Sequence, residues 1–232
     1  MITRAATVLA CAASLTLELG CATSASAPAF SAGLARPTRA VRTWQEIREA
    51  KIVRQAWDLS CGSAALSTLL THHLDDPTSE AAVIVWLLQR LDPVRVQSRG
   101  GFSLLDLKRF AEARGYKAEG YAGLALADLI ELGPAIVPVR AKGYDHFVVV
   151  RGVVGDRVLI ADPAFGNMTR RADRFGEIWT SGIGFVVYPR GGPTATRVQR
   201  TPLPDDLLVP DAGFAYRQIG SAVASAPVRR SR

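Results

Sequence analysis

The sequence predicts an α+β domain in which an N-terminal helical part packs on a mostly antiparallel sheet. Two observations carry this. Up to about residue 132 the apolar residues recur at helical spacing behind Ser and Asp caps, and from residue 135 they gather into short β-branched runs separated by Gly, Asp and Pro. Helices first and strands afterwards is the ordering of segregated α and β layers. The chain of 232 residues with 48% hydrophobic content suits one such domain, with room left for a leader and a tail.

Taken in order, residues 1–29 read as a signal peptide. Arg4 supplies the positive start, and the apolar stretch 5–17 is shorter than the ~20 residues of a membrane span. The small residues of 22–27 offer cleavage after Ala25, with Ala29 as the alternative. Leu19-Gly20-Cys21 also resembles the end of a lipobox, but Glu18 stands where that motif carries an aliphatic residue. A periplasmic or secreted protein without a transmembrane span in its mature chain is therefore expected, in preference to one lipid-anchored through Cys21. Residues 30–41 form a linker, 42–190 the folded domain, and 191–232 a Pro- and Arg-rich tail expected to be poorly ordered.

Within the domain, 43–50 reads as a helix and 51–54 as a short extended piece. Ser60 stands at the N-cap of a helix over 61–74, where Ala, Leu and Thr follow in helical order. A second long helix fits 79–91 and is stopped by Asp92-Pro93. Gly100-Gly101 breaks the chain before a helix over 103–114, whose Leu104, Leu107, Phe110 and Ala111 share one face. A short helix over 126–132 ends at Gly133-Pro134. Strands are predicted over 135–140, 146–152, 157–161 and 183–188.

The formal charge of +7 is scattered, and no segment interleaves it with stacking aromatics, so no nucleic-acid partner is expected. Cysteine usage is more informative. Cys11 and Cys21 lie in the leader, so a cleaved protein keeps Cys61 alone, a single thiol in an oxidising compartment. Cys61 opens a helix, where unpaired backbone N–H groups and the helix dipole favour a thiolate. Small residues follow it (Gly62-Ser63-Ala64-Ala65), which lets the helix approach a sheet closely. Ser63 is a weaker rival nucleophile because it lies deeper in the helix.

The base follows by elimination among three histidines. His72 and His73 lie eleven and twelve residues beyond Cys61 on the same helix, roughly 16 Å or more away at 1.5 Å per residue. Adjacent on a helix, they also point about 100° apart and make poor joint metal ligands. His146 remains, at the start of a hydrophobic strand. If the following hairpin closes with a three-residue loop ending in a left-handed glycine, His146 faces Asp162, ~5 Å apart as a cross-strand pair. Asp145 is a poorer orienter because strand neighbours point to opposite faces. Gln55, six residues before Cys61, stands where its amide can join the Cys61 N–H in binding an oxyanion. No metal or other cofactor is called for, and no Walker-type phosphate loop is present.

The stretch from Val53-Arg54-Gln55 through Ser60-Cys61-Gly62 to Leu66 resembles the Cys box of the bacteriocin-processing, double-glycine leader peptidases. Tyr144-Asp145-His146-Phe147 resembles their His box, and Asp162-Pro163-Ala164-Phe165-Gly166 their Asp-Pro box. The resemblance covers about 42–189 and implies a papain-like cysteine peptidase fold, with Cys61, His146 and Asp162 catalytic and Gln55 at the oxyanion hole. Transporter-linked relatives carry membrane spans and a nucleotide site that this sequence lacks. It is more similar to free-standing exported members, including those of functional-amyloid or adhesin secretion. The family's Asp-Cys-Gly is here Asp58-Leu59-Ser60-Cys61, so a double-glycine preference is implied by the resemblance alone. The expected activity is cleavage of a peptide or exported protein, with an outer-membrane secretion component as a further partner. The alternatives are a non-catalytic binding module for an export substrate and an acyltransferase using the same triad.

Overall fold

A computed structural model describes residues 42–141 and 143–190. The predicted leader, linker and C-terminal tail lie outside the described residues. The elements run α1 (Trp44–Glu49), α2 (Cys61–His73), α3 (Glu80–Leu88), α4 (Pro93–Ser98), α5 (Leu104–Ala113), β1 (Lys117–Tyr121), α6 (Leu126–Leu132), β2 (Ala135–Ala141), β3 (Tyr144–Val154), β4 (Arg157–Asp162), β5 (Gly166–Arg171), α7 (Ala172–Gly176) and β6 (Gly184–Tyr188). Every predicted helix and strand forms. The sequence did not predict α4, β1, β5 or α7.

The caps explain where the helices begin. Thr43 and Ser103 each accept a hydrogen bond from the third helical residue and receive a carboxylate back from it, Glu46 and Asp106 respectively. Ser79 and Asp92 cap α3 and α4, and Pro93 fits the first position of α4 because its missing N–H costs nothing there.

The six strands form one antiparallel sheet in the order β1-β6-β2-β3-β4-β5. Both faces are covered. Ile136, Val149, Ala161, Phe185 and Val187 point to a core shared with α2, α3 and α5, built around Leu66, Leu70, Leu87 and Leu107. Val137, Val148, Val150, Ile160 and Val186 point to a second core with Leu129, Phe175 and Trp179. This two-sided burial is why β2, β3, β4 and β6 read as continuous apolar runs rather than as alternation.

β1 and β5 lack that signal. β5 is Gly-Asn-Met-Thr-Arg-Arg and becomes a strand by pairing along its whole length with β4, from Asp162 opposite Gly166 to Arg157 opposite Arg171. Its ladder partner, not its own pattern, makes it β.

The β3–β4 hairpin corrects the predicted register. Val154 opposes Arg157, so the loop holds two residues, Gly155 and Asp156, with positive φ at Gly155 (59°). A bulge between Val150 and Gly152 then shifts the ladder by one, and Val149 opposes Ala161. Continued, this register sets Asp162 across from Val148, so His146 and Asp162 are diagonal neighbours rather than directly opposed. The bulge still settles the chemistry. Had Arg151 joined a regular ladder instead of bulging out, Asp162 would stand across from Val149, on the opposite face from His146. With it, the two side chains share a face.

Among the described residues, no helix is long and apolar enough to cross a membrane.

Candidate active site

Cys61 is the first residue of α2, is 6% exposed, and is a free thiol. Ser60 occupies the predicted N-cap position, but its side chain does not cap the helix. Its hydroxyl turns back instead, donating to the Trp57 carbonyl at 2.7 Å and accepting from the Trp57 N–H at 3.3 Å. The tight 57–60 turn thereby delivers Cys61 and leaves the first-turn N–H groups without a side-chain acceptor. An anion is the natural occupant of that position. Gly62 is needed behind the thiol: a Cβ there would meet Phe147 of β3 and Leu107 of α5 at 3.3 Å each.

His146 and Asp162 lie deep, at 7% and 1% exposure. His146 Nε2 lies 2.8 Å from Asp162 Oδ1. That same oxygen accepts the backbone N–H groups of Ala164 at 2.8 Å and Phe165 at 3.1 Å, so the carboxylate is fixed from two sides. His146 Nδ1 is buried and closes no hydrogen bond. With Nε2 committed to Asp162, Nδ1 is the nitrogen left for Cys61. Burial is the largest influence on the ring and lowers its pKa. The Asp162 hydrogen bond, then the Cys61 side chain and the charges of both, overcome it and hold the pKa up at about 9. The site therefore favours an imidazolium beside a sulfur. Asp145, the rival orienter, points outward and pairs with Arg140 at 2.7 Å.

Gln55 lies on the approach to the turn. Its N–H donates to the Pro163 carbonyl at 3.0 Å, which ties it to the loop after Asp162. Its Nε2 donates to the Trp57 carbonyl at 3.0 Å, engaging one of the two amide hydrogens and leaving the other available. His146 and Asp162 thus meet beside Cys61, where β3, the β4–β5 loop and the start of α2 come together, and Gln55 is tied to that loop through Pro163. His72 and His73 sit at the far end of α2, as helix rise required.

A cleft of about 280 Å³ opens against Cys61 and His146, walled by Phe102, Pro138 and Phe147. Gly100 and Gly101 form part of its lining. Gly101 has φ 134°, and a Cβ on it would stand 2.7 Å from the Leu59 carbonyl, so this loop presses directly on the loop feeding Cys61. The sequence marked the glycine pair only as a chain break. Its place immediately before a capped helix was the available signal of something more. Tyr144 was likewise passed over as a neighbour of His146. Its ring centroid lies 5.8 Å from the imidazole, and its hydroxyl reaches the Asp58 carbonyl at 3.3 Å. Among the described residues no cluster of His, Cys, Asp and Glu is placed to hold a metal ion.

A helix-borne thiol set against a histidine and a carboxylate on an antiparallel sheet is the papain-like arrangement. The chain is 41% identical over 161 residues to the probable functional amyloid protease FapD of Pseudomonas aeruginosa, covering 67% of this chain and 70% of that protein. It is 37% identical over 182 residues to the probable functional amyloid protease FapD of Pseudomonas fluorescens, covering 78% and 79%. Among solved structures, the peptidase domain of Streptococcus ComA overlaps 60% of this chain and 97% of its own, at 24% identity and a TM-score of 0.49. The model of the peptidase C39 family matches residues 49–190. The chain belongs to the peptidase C39 family and is a cysteine peptidase.

Proposed function

We propose that Cys61, His146, Asp162 and Gln55 form the catalytic centre of an exported endopeptidase. The observation that carries this is the buried His146–Asp162 pair beside a thiol at an uncapped helix N-terminus. The Cys61 thiolate attacks the scissile carbonyl, and the oxyanion is received by the Cys61 N–H and the free Gln55 amide hydrogen. The His146 imidazolium gives its proton to the leaving amine as the C–N bond breaks, leaving a thioester on Cys61. Neutral His146 then takes a proton from water, whose oxygen attacks the thioester; the acid leaves and the Cys61 thiolate and His146 imidazolium are restored. Asp162 holds the ring in the required orientation and supports its charge.

The substrate is a peptide or an exported protein of a secretion system. Similarity to proteins named as probable functional amyloid proteases supports a substrate linked to functional amyloid, and an outer-membrane secretion component is the partner we infer. Cleavage after small residues, Gly-Gly among them, is the preference we infer. The working compartment is the periplasm or the exterior, reached through the signal peptide and with the chain cleaved rather than lipid-anchored at Cys21.

Hydrolysis of the co-encoded exported proteins, and of peptides with Gly, Ala or Leu before the scissile bond, by wild type and Cys61→Ala tests this. Activity in the wild type alone, highest for the small residues and with the cut fragments identified by mass spectrometry, is expected. Equal activity in the two proteins overturns the assignment of Cys61, and a preference for Leu overturns the small-residue specificity. Recovery of the protein in the cytoplasmic fraction would refute export.

A further inference from the structure

Resting on that reading, one feature of the segment before Gln55 stands out. Arg48 and Arg54 reach from this segment to the loop that follows Asp162 and take three consecutive carbonyls. Arg54 donates Nε to Pro163 O at 3.0 Å and Nη2 to Ala164 O. Arg48 donates Nε at 3.2 Å and Nη2 at 2.5 Å to Phe165 O. The Gln55 N–H shares Pro163 O with Arg54, at 3.0 Å. The loop is thus divided by polarity: its N–H groups hold the Asp162 carboxylate, and its carbonyls are held by the two guanidinium groups.

Close packing makes this clamp tight. Gly166 has φ 87°, and a Cβ on it would stand 2.7 Å from the Arg48 carbonyl and 3.1 Å from Arg54 Nη1. Asn167 Nδ2 laces the same strand to Ile47 O at 3.1 Å and Ala50 O at 2.7 Å, two residues beyond the last carbonyl the arginines hold. A planar fork spans two carbonyls in a fixed geometry that an ammonium group does not reproduce.

We propose that Arg54, backed by Arg48, is a positioning residue that locks the Asp162 carboxylate and the Gln55 amide into one register. Through Asp162 it sets the His146 ring, and through the 55–60 segment it sets the approach to Cys61. Its role is geometric, so its loss acts on the reaction step more than on substrate binding.

The test compares wild type, Arg54→Met, Arg54→Lys, Arg48→Met and Asn167→Ala. Peptide hydrolysis, the pH profile of Cys61 alkylation by iodoacetamide, and thermal unfolding are measured on each. Arg54→Met is expected to lose about 10–100-fold in kcat with KM within about twofold. Its alkaline limb should move down from about 9 toward the ordinary histidine value of 6.5. Arg54→Lys is expected to recover only a minor part of either, and Arg48→Met to show the same changes in smaller measure. Asn167→Ala, which cuts only the ties to Ile47 and Ala50, should lower the unfolding temperature and leave kcat and the limb in place. Variants that melt earlier with wild-type kcat and limb reduce the clamp to a structural tie and overturn the proposal. Should Arg54→Met not fold, the Lys and Arg48 variants decide by the same criteria. A wild type whose thiol titrates as an ordinary free cysteine overturns the reading of the site itself, and the clamp with it.

Discussion

His146 and His73 belong to the same domain, each have one shielded ring nitrogen that closes no hydrogen bond (Nδ1 and Nε2 respectively), and are driven to opposite ends of the titration range. His146 is held up at about 9, while His73 is pushed down to about 3. Burial lowers both. At His73 nothing opposes it, and the positive charge of Arg151, with His72 and Lys51 behind it, adds to the depression. At His146 the Asp162 carboxylate and the Cys61 sulfur outweigh burial and reverse the sign. The difference teaches that shielding by itself keeps a histidine neutral, and that a charged one is made by what it is shielded with.

Removing the ring at one end should have a far larger effect than at the other. His146→Ala is expected to lower kcat/KM by a factor on the order of 10³–10⁴, the usual cost of losing one member of such a triad. Steady-state hydrolysis of one peptide by wild type, His146→Ala and His73→Gln checks this. Comparable losses in both variants would break the contrast.

Asp162→Asn sharpens the contrast by making His146 resemble His73. With the carboxylate gone, burial regains the upper hand and the imidazolium is no longer favoured. The alkaline limb of Cys61 alkylation should fall from about 9 to the ordinary 6.5 or below, with activity down by roughly 10²–10⁴. An unmoved limb would show that Asp162 does not hold the proton on the ring.

The smallest effects are on stability. For His146 the folded pKa lies above the ordinary 6.5, so its contribution is full below 6.5 and is lost as pH rises through about 9. For His73 the folded pKa lies below 6.5, so its contribution is present above 6.5 and is lost as pH falls toward about 3. His73→Gln should therefore flatten the acid side of the stability profile and leave the alkaline side alone. Asp162→Asn should do the reverse at His146. Denaturant titrations at pH 4.5, 7 and 9 read both, and a His73→Gln profile that still falls on the acid side as the wild type does would remove His73 from the account.

Much of the site was legible because it rests on short-range rules. A helix start places Cys61, helix rise disqualifies His72 and His73, and strand alternation sets Asp145 aside. The hairpin register was harder. The turn proved to hold two residues instead of three, and a bulge added a residue further on. Asp162 still reached the face of His146 because the two departures left strand alternation in phase. Neither Gly155 nor Arg151 announces that bulge, since a bulge is a compromise between a tight turn and the packing of both faces of a sheet. β5 was illegible for a related reason: a Gly-Asn-Met-Thr-Arg-Arg segment has no strand pattern until β4 supplies a ladder.

The sequence by itself determined the helices, the apolar strands, the thiol at a helix start and the single histidine able to serve it. Periodicity, capping chemistry and helix rise act over a few residues and can be read from them. The tertiary structure alone decided that Ser60 turns away from the helix it was expected to cap, that Gly101 presses on the Leu59 carbonyl, and that Arg48 and Arg54 hold the loop carrying Asp162. Those contacts join residues up to 117 positions apart. They exist only because the packed layers bring backbone carbonyls, which carry no sequence signature, within reach of side chains that do.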